Sequence, residues 1–191
     1  MKVPDLARKT YAGPMGSVDV DPALLEEMLR AYKPNCKYLK RCTVEWPTGA
    51  ADDEAKPPFV AAAQGDFEIP ESCYIDDTGH LNAVEFNICF NQAYYVLVAQ
   101  CIASGIVPAL KGMPLERYKR RHLPDVLIHD LTSRFSRVID RTKFQGQIAI
   151  SDCAETSNFI YFRTFCSFWD EAGGYARGDV TLALLNGPEE D

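Results

Sequence analysis

From about Asn82 to Gly105 the chain reads AVEFNICFNQAYYVLVAQCIA and then stops on glycine, and this stretch is apolar nearly all the way round a helical wheel. A helix without a polar stripe is stable only where other structure surrounds it, so the rest of the chain must supply a wrapping. Both ends are marked. Asn82 followed three residues later by Glu85 has the spacing of a capping box, and Gly105, Pro108 and Gly112 end the helix. Ahead of it, Ser72–Gly79 reads as a short strand ending near Tyr74, then a turn through Asp76, Asp77, Thr78 and Gly79. Polar groups that a buried helix does not need collect along the turn and the helix: Tyr74, His80, Asn82, Glu85, Asn87, Asn91 and Gln92. The amino end of a buried helix, furnished in this way, suits the stabilisation of a negatively charged oxygen.

The wrapping is legible on either side. Residues 1–20 carry Gly13, Pro14 and Gly16 and read as a loose amino-terminal arm, leaving residues 21–191 as a single domain. Asp21 as N-cap and Pro22 at the first helical position start a helix striped by Leu24, Leu25, Met28 and Leu29. Tyr38–Trp46 and Phe59–Ile69 read as strands joined by an exposed loop over Thr48–Pro58. After the apolar helix come Asp125–Asp140, Phe144–Cys153, Phe159–Trp169 and Gly174–Leu185, strand-length runs with turn signals between them, which imply an antiparallel meander. One central helix and several long strands match an α+β fold in which a sheet curls around a single helix, the hotdog arrangement.

The bulk numbers narrow the function. A net charge of −7 argues against a general nucleic-acid binder, because phosphate contacts need clustered Lys and Arg. No apolar run reaches the roughly 18 residues of a membrane span, and no signal peptide is evident, so the cytoplasm is the expected compartment. The seven cysteines include no CxxC pair and read as small hydrophobes. With three histidines in the chain, no metal site and no cofactor are expected. There is no G-x-S-x-G motif or Ser-His-Asp pattern, which disfavours a covalent serine route.

The run Tyr74-Ile-Asp-Asp-Thr-Gly-His-Leu-Asn-Ala-Val-Glu, followed by Cys-Phe-Asn-Gln at 89–92, resembles the FcoT-like acyl thioesterases of actinobacteria. Further matches fall at Cys36-Lys-Tyr-Leu, Ser133-Arg-Phe, Phe168-Trp-Asp-Glu-Ala-Gly-Gly174 and Ala183-Leu-Leu-Asn186, so the resemblance covers nearly all of the chain beyond about residue 20. It implies a hotdog fold paired edge to edge as a homodimer with a continuous sheet. The implied substrates are acyl thioesters of CoA or an acyl carrier protein. Some family members add glycine through its amino group to the β-carbon of a (2E)-enoyl thioester. They then hydrolyse the thioester to release an N-carboxymethyl-3-amino acid. A plain acyl thioesterase is the alternative, and a non-catalytic acyl-binding hotdog protein a third. By the family pattern, the active-site polar residues fall on Tyr74, Asn82, Asn91 and Tyr32.

Read from the residues, Asn82 is either a cap or a holder of the thioester oxygen, and Glu85 either its cap partner or a base. His80 is the first candidate to take a proton from glycine's ammonium, since an imidazole titrates near neutrality. Tyr74 is a phenol donor or an ordinary strand tyrosine. Asn91 lies about 13 Å along the helix from Asn82 and roughly 180° around it, so a site using both would take them from two protomers. Lys37, Arg134 and Arg163 are candidates for glycine's carboxylate, and Phe86 and Phe90 for the acyl chain. The basic run Arg117–Arg121 is either a carrier-protein or CoA contact or a solvated helix face.

Overall fold

The computed structural model describes residues 11, 13–49 and 57–186. Seven strands, β1 (Met15–Asp19), β2 (Leu39–Pro47), β3 (Ala61–Phe67), β4 (Val126–Arg137), β5 (Phe144–Glu155), β6 (Phe159–Trp169) and β7 (Tyr175–Leu185), form one sheet in the order β1-β2-β3-β5-β6-β7-β4. Every neighbouring pair is antiparallel. Against this sheet lies α2 (Ala83–Ser104), touching β2, β3 and β5, with α1 (Pro22–Met28) and α3 (Leu115–Asp125) packed on its other sides. The chain therefore forms the expected α+β hotdog fold, a sheet wrapped around one helix.

The helices begin and end for the reasons the sequence gives. Asp21 Oδ1 accepts the Ala23 N–H at 2.7 Å and Pro22 opens α1. Gly105 closes α2 in the left-handed region at φ 63°, a conformation that costs a residue with a Cβ. Every residue from Gln92 to Cys101 is buried. Gln92 fastens this part of the helix: its Oε1 accepts the Tyr38 and Leu39 N–H groups at 2.9 and 3.0 Å, and its Nε2 donates to Cys36 O at 2.6 Å. One buried amide thus satisfies three backbone groups where the chain enters β2, and that bonding is what makes a polar side chain tolerable there.

Close approach of helix and sheet depends on Gly178 in β7. A Cβ there would lie 2.3 Å from Thr132 O and 2.9 Å from Phe86 Cζ. The Phe86 ring instead presses onto the sheet, edge-on to Phe168 at 4.9 Å and to Phe135 at 5.6 Å. In α3, Lys119 pairs with Glu116 at 2.8 Å and Arg121 with the buried Asp125 at 2.9 Å, both within the helix.

Two local expectations change. Within the stretch read as a loose arm, Met15–Asp19 is a strand, because β2 offers it a free edge. Tyr74 ends no strand. The chain leaves the sheet after Phe67, and β3 already has β2 on one side and β5 on the other, so no edge remains for a further strand beside it. Most of the Thr48–Pro58 loop lies outside the described residues. No helix among the described residues is long and apolar enough to cross a membrane.

Candidate active site

The approach to α2 is an irregular loop fixed at several points. Ile69 N–H donates to Arg141 O at 2.9 Å, Leu81 N–H to Ile139 O at 3.1 Å, and the Arg141 guanidinium meets Asp77 Oδ1 at 3.0 Å. Asp77 Oδ1 also accepts the Gly79 N–H at 2.7 Å, where φ is 70°. That amide, and next to it Arg141, hold the Asp77 carboxyl below its ordinary range.

At the helix start the capping box forms in full. Asn82 Oδ1 accepts the Val84 and Glu85 N–H groups at 3.0 and 3.2 Å, while its Nδ2 donates to Glu85 Oε2 at 2.9 Å and to Thr78 Oγ1 at 3.2 Å. Phe86 N–H is taken by Asn82 O at 2.8 Å. Of the first-turn amides only that of Ala83, an exposed residue, has no acceptor among the described residues. A cleft of about 440 Å³ opens here. Its floor is His80, Leu81, Asn82 and Ala83, and its wall is Phe135, Ser136, Arg137 and Val138 from the end of β4 and beyond.

Of the residues singled out in the sequence, His80 and Asn82 line this cleft together. Glu85 is fully buried behind Asn82, with Oε2 bound to it and Oε1 lacking any partner among the described residues. Tyr74 is 48% exposed on the loop and outside the cleft lining. Tyr32 is half-buried against the core; burial, then Tyr95 and Cys89, push its phenol far above its ordinary value, so it stays protonated. Asn91 is half-buried farther along α2; its Oδ1 has no partner among the described residues and its Nδ2 donates a long bond of 3.5 Å to Asn87 Oδ1. One chain does not bring Asn91 to the cleft.

The substrate-binding candidates are placed elsewhere. Lys37 pairs with Glu26. Arg134 is an exposed residue of β4 opposite Arg177, and Arg163 an exposed residue of β6 opposite Thr181. Phe86 and Phe90 are fully buried core residues, Phe90 stacked on Tyr94 at 5.9 Å. Sequence reasoning missed the wall, Phe135, Arg137 and Val138. The only signal was Ser133-Arg-Phe, part of the family resemblance, and strand order rather than composition carries it to α2.

Burial, followed by the charge of Glu85, raises the Cys89 thiol well above its ordinary value, so it is no nucleophile. Burial also raises Tyr38, helped by Cys73, Cys36 and Glu85.

A sheet closed on one buried helix, with a cleft where that helix begins, defines a protein of the hotdog class. Within that class the chain belongs to the FcoT-like thioesterase domain family, whose profile matches residues 27–184. It is 39% identical to a (2E)-enoyl-[ACP] glycyltransferase of Streptomyces coeruleorubidus, over 88% of this chain and 99% of that one. It is 34% identical to a protein of the same name from Mycobacterium marinum, over 98% and 100%. A third, from Mycobacterium tuberculosis H37Rv, is 33% identical over 91% of each.

Proposed function

We propose that this protein is a cytoplasmic enzyme that adds glycine to a (2E)-enoyl group carried on an acyl carrier protein or CoA, then hydrolyses the thioester. The product is an N-carboxymethyl-3-amino acid. The observation that carries this reading is the uncommitted Ala83 N–H at the head of a buried helix, in a cleft shared with His80. The naming of relatives at 33–39% identity as enoyl-ACP glycyltransferases supports it.

The thioester oxygen sits at the Ala83 N–H, at the positive end of α2. His80 takes a proton from the glycine ammonium. The freed amine attacks the β-carbon, the C=C electrons move toward the carbonyl, and the enolate oxygen is held by the same amide. Protonation at the α-carbon completes the addition. Water then attacks the carbonyl, and the tetrahedral oxyanion occupies the same position before the thiol leaves. Asn82 acts by spending its whole amide on the cap, which fixes the direction of the Ala83 N–H, and Glu85 holds Asn82 in turn.

The reading includes a homodimer. β4 is an edge strand of 12 residues that exposes Leu127, Ile128 and Phe135, an edge that proteins rarely leave uncovered. The uncovered face of α2, with Val84, Asn87, Ile88 and Asn91, belongs to the same interface. Pairing of this kind is what would bring Asn91 of one protomer to the cleft of the other, while Tyr74 on the loop before α2 and Tyr32 beside Tyr95 stay outside the lining that one chain provides.

A plain thioesterase is the second reading, favoured by the family description and by the fact that one oxygen pocket serves hydrolysis as well. Crotonyl thioester incubated with the enzyme, with and without glycine, separates the two by mass spectrometry. A glycine adduct formed only with enzyme supports addition. Crotonic acid without adduct supports hydrolysis alone.

A further inference from the structure

Arg137 stands at the end of β4, just past a register shift between Phe135 and Arg137. Such irregularities redirect side chains at the rims of sheets. It lines the cleft with His80 and Asn82, and also a neighbouring cleft of about 760 Å³ on the side of Trp169 and Gly173. Its Nη1 passes over Gly173, 3.6 Å from where a Cβ would stand. Other cations nearby have partners: Arg141 meets Asp77, Lys143 meets Glu171, and Lys40, which lines the second cleft, donates to Lys37 O at 3.0 Å. Arg137 itself has no hydrogen-bond or carboxylate partner among the described residues. It is also the only guanidinium or ammonium lining the cleft where α2 begins.

We infer that Arg137 receives the carboxylate of the incoming glycine and so selects the amine that is added. The inference rests on the glycine-addition reading. A guanidinium matches a carboxylate in a planar two-bond fork, which fixes direction as well as position. With the carboxylate held on the β4 wall, the amine, one carbon away, lies between His80 on the floor and the β-carbon of an enoyl chain whose oxygen is at Ala83. The N–H adds across C=C: the new C–N bond uses the amine lone pair. The proton passes from the ammonium to His80 and returns to the α-carbon. No oxidant or second reactant is needed.

The test compares glycine with glycinamide, which keeps the amine and lacks the carboxylate, as adduct formation on crotonyl-carrier protein. The wild-type enzyme is expected to favour glycine by about 10–100-fold in kcat/KM, carried mainly by KM, and Arg137→Gln to erase most of that preference, with Arg137→Lys between the two. Wild-type enzyme that uses glycinamide as well as glycine overturns the inference whether or not the variants fold. So does an Arg137→Gln enzyme that folds, by circular dichroism, and keeps the wild-type preference. Hydrolysis with no adduct from any amine is a different result, since it removes the glycine reading itself.

Discussion

Between Gln92 and Cys101, every residue of α2 is buried within the fold. Between Ala83 and Asn91 the same helix presents Ala83, Val84, Asn87, Ile88 and Asn91 at least partly to solvent. In the carboxyl half the two buried amides are bonded, Gln92 to three backbone groups and Gln100 Nε2 to Ser104 Oγ at 2.8 Å, while the Tyr94 hydroxyl has no partner among the described residues. In the amino half, Asn91 Oδ1 and Glu85 Oε1 have no partner among the described residues. By burial, then, one half is an anchor; the other half, partly open to solvent, is the surface that the proposed function gives to a ligand and a second protomer.

The sharpest way to break this contrast is to mix two inactive variants. Asn82→Ala and Asn91→Ala are each expected to lower turnover by about 100-fold. Co-refolded in equal amounts, they should regain roughly a quarter of wild-type activity, because half the pairs contain one site with both asparagines. No recovery would place both residues in one protomer's site, or neither in any.

The anchor is tested by Gln92→Leu, which fills the space but leaves two N–H groups and one C=O buried and unpaired. It should cost roughly 3–5 kcal/mol, read as a fall in Tm of about 10 °C. A loss below about 1 kcal/mol would mean that the bonds to Cys36, Tyr38 and Leu39 do not fasten the helix. Smaller again is the difference between two valines. Val96→Ala, in the buried half, should cost about 2 kcal/mol in urea unfolding, whereas Val84→Ala in a dilute, monomeric sample should stay within about 0.5 kcal/mol.

The last effect is a pH slope. His122 of α3 packs against Tyr95 at 4.9 Å, and burial, the larger influence, lowers its pKa against the carbonyls that would raise it. A depressed folded value means its contribution is complete above the ordinary histidine range of about 6.5 and is lost as pH falls through the lower folded value. Melting temperatures between pH 7 and 5 should drop for the wild type and drop less for His122→Gln. An identical slope would remove His122 from the account.

The sequence revealed α2 almost to the residue because Asn82 and Gly105 are chemical signals for a start and a stop. It did not reveal β1, whose MGSVD has no apolar alternation and is a strand only because β2 has an edge to give. It overstated Ser72–Tyr74, where a strand-forming run has no partner. In the site, the cap and His80 were legible as local patterns. Arg137 was not, since its place beside α2 follows from β4 pairing with β7, a fact of long-range register.

That pairing has a consequence for how the molecule is made. Among the described strands β4 is synthesised fourth yet docks beside the seventh, so during translation it must wait, its greasy edge unclaimed, until β7 has left the ribosome. The wall bearing Phe135 and Arg137 is consequently among the last parts to assemble. A polypeptide interrupted before Tyr175 would carry the buried rod but have nothing to hold that wall in place.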